Sequence, residues 1–291
     1  AVSRLNSDAL VTQLPSNSLY NKEKAYNGYT IYPSAKGALL IDMNGNEVNL
    51  WAGLGGFPNK ILPGGYVMGT TGERGGKYAY QDQLDLVQVD YDGNIVWKFD
   101  HNELIADPGK EPTWQARQHH DYQREGNLLV FDNRGEGGYG NPNPSAPTGN
   151  NNAHRDYSRV LEFDPITLEI IWQYTPLEAG NLLFTDASKF YSSYISSAQR
   201  LPNGNTLITE GSDGHLIEVT PEHEIVWEYV NPYFKNIGGN FKMNMVYRAY
   251  RTPYEWVPQA THGEEVSIEP LDVETFRVPG ASKGAGTGKV T

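Results

Sequence analysis

The chain of 291 residues contains no cysteine. Disulfides and thiolate metal sites are excluded, so stability has to come from burial and hydrogen bonding. Basic residues are scarce: 23 Lys and Arg stand against 35 Asp and Glu, for a formal net charge of −12. Such a chain lacks the basic surface that broad nucleic-acid binding needs, although a few local arginines can still hold a small anion. No apolar run approaches the roughly 18 residues that span a bilayer. No Gly-rich phosphate loop precedes a helical pattern, no serine-hydrolase elbow occurs, and the histidines show no spaced metal-ligand motif. No secretory signal stands at the start. The chain opens on Ala1 rather than Met, which favours a processed, exported protein, periplasmic or extracellular.

Glycine, proline and tyrosine are plentiful, at 31, 18 and 19 residues. With few long helical patterns, this composition predicts an all-β fold with many turns. Internal repeats carry that reading further. An apolar strand, a tight turn and a second strand ending in Trp recur at Leu39–Trp51, Leu86–Trp97, Val160–Trp172 and Leu216–Trp227. Asn44-Gly45 and Asp92-Gly93 supply the positive φ of hairpin turns. The closing Trp is expected to pack against the neighbouring repeat. A second hairpin pattern precedes three of these units, at Phe57–Met68, His120–Phe131 and Ser196–Ile208.

Two hairpins make a four-stranded sheet, the unit of a propeller blade. The expected fold is therefore a single β-propeller of five or six four-stranded blades with long loop insertions. Three blades read clearly over 57–97, 118–172 and 194–227, and a fourth runs from Asn27 to Trp51. A fifth is expected from Val246 to Trp256, completed by 265–278. Residues 1–26 would pack on or close the ring, 27–278 form the propeller domain, and 279–291 are a flexible tail. Insertions fall at 69–83, 133–157, 175–193 and 230–244, all read as loops of functional length.

One copy of the repeat differs chemically. Gln118-His119-His120-Asp121-Tyr122-Gln123 leads into the apolar run Leu128–Phe131. Aligning the half-repeats on their shared Gln sets His120 opposite Ser196 and near Phe57. That strand is innermost in a propeller, so His120 is expected at the mouth of the central channel. Alternation along the strand turns Asp121 to the other face, as a structural anchor. The plain alternative is a polar pair that closes a blade. His154 and Arg155 end the 133–157 loop, from which they could fold over the channel. Arg117, Arg200, Arg248 and Arg251 lie on or beside inner strands, where a guanidinium fork would suit sulfate, phosphate or carboxylate. A structural salt bridge competes with that reading for each. The expected cofactor is none. The metal alternatives are zinc, iron or copper at His119, His120 and His154, against which adjacent histidines in a strand point apart, and calcium at the turn aspartates.

At these residues the chain resembles the arylsulfotransferase family of bacterial β-propellers. The resemblance runs over about residues 26–256, through Tyr26–Thr30, Leu40–Asn46, Gln118–Asp121, Gly126–Asn133, Tyr157–Val160, Ala198–Thr206 and Val226–Pro232. It implies a histidine that takes a sulfuryl group from an aryl sulfate and passes it to a phenol. His120 matches that position and Asp121 the acid that follows. The partner so implied is a small aromatic or sulfated substrate. The family's upstream His-x-Asn element has no counterpart, since no histidine precedes His101. Two other readings stand beside this one. One is a propeller lyase or hydrolase acting on a saccharide, with His120 and Tyr122 or Tyr157 as acid and base. The other is a non-catalytic binding or assembly module.

Overall fold

The computed structural model describes residues 16–55, 57–71, 85–100, 102–105, 111–116, 122–125, 127–130, 160–163, 170–174, 178, 192 and 195–270. These residues form antiparallel β-sheets, and none of them lies in an α-helix. No helix among them is long and apolar enough to cross a membrane.

Strand β1 (Asn17–Tyr20) comes first, followed by the meander β2 (Tyr29–Ser34), β3 (Gly37–Ile41) and β4 (Glu47–Trp51). The middle sheet is β5 (Lys60–Leu62), β6 (Tyr66–Thr71), β7 (Asp85–Val89) and β8 (Ile95–Phe99). Four two-strand units follow in part: β9 (Asn102–Ile105) with β10 (Thr113–Ala116), β11 (Tyr122–Glu125) with β12 (Asn127–Val130), and β13 (Val160–Phe163) with β14 (Ile170–Tyr174). The C-terminal sheet is β15 (Ser196–Arg200), β16 (Thr206–Glu210), β17 (His215–Val219) and β18 (Ile225–Val230), with β1 added outside β18. The fourth of these units is the hairpin of β19 (Lys235–Gly238) and β20 (Phe241–Met243), and β21 (Tyr250–Thr252) ends the series.

The turns follow the sequence signals. The Asp42 carboxylate accepts from the amides of Asn44 and Asn46, both at 2.9 Å, and Asp90 holds Asn94 in the same way at 2.8 Å. Gly45 and Gly93, three residues after each aspartate, take φ of 81° and 89°. These carboxylates are thus occupied in shaping turns. The third such turn, opened by Thr220, has no glycine: His223 adopts φ 72° in its place. Its Nε2 lies 2.9 Å from the Gln173 carbonyl, and its ring stacks on Trp172 at 5.7 Å. Those contacts hold a conformation that costs a non-glycine residue about 1 kcal/mol or more.

Successive sheets pack face to face. Tyr32, Leu39, Ile41 and Met43 of the N-terminal sheet meet Leu207, Leu216, Trp227 and Tyr229 of the C-terminal sheet. The other face of the N-terminal sheet, with Ile31, Leu40 and Trp51, meets Ile61, Val67 and Val87 of the middle sheet. Tyr122 continues the series against Met68 and Leu86, and Trp172 and Tyr174 pack on Ile208, Ile217 and Val219.

Among the described residues a recurring hydrogen bond ties three of the four repeats to a neighbouring turn. Trp227 Nε1 donates to the Met43 carbonyl at 2.9 Å, and Trp172 Nε1 to that of Pro221 at 3.0 Å. Met43 and Pro221 each follow the residue that opens a turn, and so does Tyr91, whose carbonyl accepts from Asn49 Nδ2 at 2.9 Å. Counted from the turns, Asn49 occupies the place of Trp227. Trp51 lies two positions beyond, in the place of Phe99 and Tyr229, and donates to Asp90 at 3.0 Å. The sequence alignment of Trp51 with the other closing tryptophans is therefore corrected by two residues. Trp97 keeps 37% exposure rather than being packed away. Replacing Asn49 by alanine removes the hook and leaves the Tyr91 carbonyl to solvent or orphaned. The expected loss is about 1 kcal/mol, read from chemical denaturation.

Among the described residues the expected fifth blade does not stand as a sheet of its own, and most of its completing segment, 271–278, lies outside them. Tyr250–Thr252 pairs with β2, Thr30 opposite Arg251, and so completes the N-terminal sheet as its fourth strand. Residues beyond it run back across the molecule: Gly65 donates to Trp256 at 2.7 Å, Asn44 and Val266 bond twice, and Tyr20 bridges Ile268. The 230–244 insertion, expected as a loop, contains the β19–β20 hairpin.

The last strand brings Arg251 to the seam between first and last sheets. Arg251 and Glu218 are both fully buried, paired at 3.1 Å. Arg251 also donates to Thr30 Oγ1 at 2.6 Å and to the Tyr26 carbonyl at 2.7 Å, with its guanidinium 4.5 Å from the Trp227 ring. Glu218 accepts from the Tyr26 amide at 2.6 Å and from Asn205 at 2.7 Å. Burial pulls the Arg251 pKa down, and Glu218 opposes that pull.

Candidate functional site

Strands β5, β15 and β21 are edge strands of their sheets, and they meet one another and β11 through side chains. Gln199 of β15 uses its amide as a surrogate strand: Nε2 donates to the Arg251 carbonyl at 3.0 Å and Oε1 accepts the Arg251 amide at 2.8 Å. On the middle sheet the equivalent residue is Lys60. Its ammonium donates to the Tyr122 carbonyl of β11 and sits 5.1 Å from the Tyr250 ring and 5.2 Å from the Tyr122 ring. Tyr122 is anchored in turn, donating its hydroxyl to the carbonyls of Pro58 and, at 2.7 Å, Met68. The edge strands thus succeed one another as β15, β21, β5 and β11. Lys60 brings a cation between two of them, where ring faces favour it.

The residues aligned with His120 gather at one end of these strands. Ser196 opens β15 opposite Glu210. Ile195 before it holds φ 47°, an uncommon conformation for a β-branched residue. Its carbonyl accepts from Ser192 at 2.8 Å and from Ser196. Phe57 packs against Tyr247 at 5.1 Å, and the Arg248 guanidinium lies 5.7 Å from the same Tyr247 ring. Arg248 is therefore near the end marked by Phe57. Arg200 stands at the other end of β15, where it donates to the Gly204 carbonyl at 2.7 Å and covers Trp172 at 4.8 Å. Arg251 is the buried seam residue. His120, His119, His154, Arg155 and Arg117 lie outside the described residues, as does Tyr157.

Sequence reasoning did not single out Lys60 or His215. For Lys60 the half-repeat alignment held a signal, a lysine where two other copies carry Gln123 and Gln199. For His215 there was none, because its partners lie on neighbouring strands. His215 Nδ1 is 2.9 Å from Glu210 and Nε2 is 2.8 Å from Glu228, which also accepts from Ser18 of β1. Burial opposes the charge on His215, but hydrogen bonds to the two carboxylates outweigh it and raise the pKa to about 9. The His215 contact holds the Glu228 carboxyl below its usual range, and burial beside Glu210 pushes Asp213 up.

The clasp makes stability pH-dependent. A histidine whose folded pKa is raised contributes fully below its unfolded value near 6.5 and loses that contribution as pH rises through about 9. Glu228, lowered on folding, contributes above its unfolded pKa and loses it as pH falls. The expected result is a fall of roughly 2–3 kcal/mol in unfolding free energy between pH 6 and 10 that His215→Gln does not show. Parallel pH profiles of the two proteins would refute the clasp.

Three comparisons bear on identity. A family model for arylsulfotransferase (ASST) matches residues 66–251. No curated protein matches the chain. Among solved structures, a protein of unknown function from Bacteroides caccae aligns at 11% identity over 76% of this chain and 77% of its own, with a TM-score of 0.26. Because the family match takes in more than half of the sequence, including β6 to β18 and the Gln118–Asp121 element, this chain belongs to the arylsulfotransferase (ASST) family.

Proposed function

We propose that the sheets are the blades of one β-propeller and that the protein transfers a sulfuryl group between phenolic compounds through His120. The observation that carries this reading is the family match, whose span includes His120 in its Gln-His-His-Asp setting. The face-to-face succession of sheets and the repeated hook onto each next turn support the propeller. Neutral imidazole attacks the sulfur of an aryl sulfate, forming N–S as the aryl S–O bond breaks and phenolate leaves. An acceptor phenol then attacks the same sulfur, losing its proton as N–S breaks and the imidazole is restored. Cations near the sulfuryl oxygens lower the barrier to both steps. Lys60 and Arg248 are the described residues best suited to that role. Lys60 lies against Tyr122, two residues after His120, and Arg248 stands near Phe57, which aligns with His120.

The test uses 4-nitrophenyl sulfate with and without a phenol acceptor. Release of 4-nitrophenol, acceptor-dependent turnover and a sulfuryl adduct mapped to a peptide containing His120 are expected. An adduct on another residue, or acceptor sulfation without any adduct, would overturn the mechanism.

A further inference from the structure

The longest acid-free stretch with cations lies next to the candidate site. Between Glu228 and Glu255 the chain carries Lys235, Lys242, Arg248 and Arg251 and no Asp or Glu, in a protein whose formal charge is −12. Arg251 is spent at the buried seam. The others are borne by the β19–β20 hairpin and the segment that follows it. Phe234 and Phe241 are 52% and 63% exposed, and both lysines are exposed without an ion pair among the described residues. Lys235 pairs with Met243 and Asn236 with Lys242 across the hairpin. By strand alternation, one face carries Lys235 with Phe241 and the other Lys242 with Phe234. Each face thus offers a ring beside a cation.

The base of the hairpin is firmly held. Asn231 and Asn244 exchange side-chain bonds to each other's carbonyls at 2.8 and 2.9 Å. The Asn231 amide donates to Gly214 and the Val246 amide to Gly211, each at 2.9 Å. Gly214 has φ 64°, and a Cβ there would stand 2.2 Å from the Asn244 carbonyl. The Gly211–Asp213 turn joins β16 to β17 at the end of the sheet where β15 starts. The hairpin therefore rises from the same end as Ser196, with Tyr247 against Phe57 just after it.

We infer that the β19–β20 hairpin is a recruiting surface for small anionic aromatic compounds, binding the ring on Phe234 or Phe241 and the anion on Lys242 or Lys235. This identity of the ligand rests on the proposed transfer of sulfuryl groups between phenols. An exposed phenylalanine costs the folded chain solubility, and a lysine on the same face of an acid-free segment suits a small ligand that carries both a ring and an anion. The surrounding negative field repels such anions, so local positive charge on the hairpin raises their concentration near the strand end marked by Ser196 and Phe57.

Binding is tested with 2-naphthalenesulfonate, which has no transferable sulfuryl group, by calorimetry at low salt on the whole protein. Lys235→Gln with Lys242→Gln is expected to weaken binding about tenfold and to flatten its salt dependence. Phe234→Ser with Phe241→Ser is expected to weaken binding of both the sulfonate and neutral 2-naphthol, while the lysine pair leaves 2-naphthol unchanged. All four residues are exposed, so circular dichroism should report native folding for both variants. Equal sulfonate affinity in wild type and variants would overturn the inference, as would binding of acidic lipid vesicles in place of the sulfonate. Absence of sulfuryl transfer by the wild-type protein, with sulfonate binding intact, would remove the transferase reading and leave the surface standing.

Discussion

Replacing His120 by alanine is expected to lower sulfuryl transfer from aryl sulfates by at least about a thousandfold, because a covalent route loses its only acceptor atom. The loss should appear in kcat rather than in binding of a non-reactive sulfonate, since the imidazole contributes chiefly after the substrate has docked. His119→Ala is expected to have a much smaller effect, because the proposed route passes the sulfuryl group through one imidazole only. The pair of variants makes the prediction specific. Equal losses at both positions would contradict a single nucleophile, and undiminished turnover in His120→Ala would end the proposed mechanism.

The second large effect concerns stability. Arg251→Met leaves the Glu218 carboxylate fully buried with only the Tyr26 amide and Asn205 to hold it. Removing one partner of a buried pair costs about 3–5 kcal/mol, a large share of the roughly 5–15 kcal/mol that holds a domain folded. Glu218→Gln should cost less, because an amide still accepts from Tyr26 while the guanidinium keeps Thr30 and the Tyr26 carbonyl. The double variant Arg251→Met with Glu218→Leu is expected to recover much of the single loss, since apolar side chains of similar volume avoid the cost of burying two charges. Denaturant titrations of the three proteins decide it. Arg251→Met within about 1 kcal/mol of the parent would show that the seam does not depend on the pair.

Much of this architecture could be read from local signals. Asn-Gly and Asp-Gly dipeptides marked turns because few other residues accept the backbone they require, and the strands between them alternate as half-buried strands do. Where a local rule was broken, reading failed. The Thr220 turn forms with His223 in the glycine position because Gln173 and Trp172, some fifty residues away, hold it there. The segment 230–244 was read as a loop, yet Lys235–Gly238 and Phe241–Met243 pair, with one register irregularity between Asn236 and Gly238. Tyr250–Thr252 was misassigned because a three-residue strand carries no periodicity, and its partner is near the other end of the sequence. The site was legible in part. The half-repeat alignment pointed to the strand end where Ser196 and Phe57 lie, and Arg248, read from the sequence only as lying on or beside an inner strand, stands near that end. Arg200 was drawn to the same site by its strand alone, whereas four residues of extended chain carry it to the opposite end of β15. Lys60 and His215 act through neighbours that only folding supplies.

The pairing of β21 with β2 has a consequence for how the chain is made. Thr30 must wait for Arg251, 221 residues later, before its sheet is complete. At ribosomal speeds of about 5–20 residues per second that delay is roughly 10–45 s, during which the nascent N-terminal meander presents an open, apolar β2 edge. Productive folding therefore waits on this pairing and is slow, as long-range closure dictates. Yield during expression is expected to respond to whatever shields that edge, a chaperone or a lower temperature, more than to changes in the finished fold.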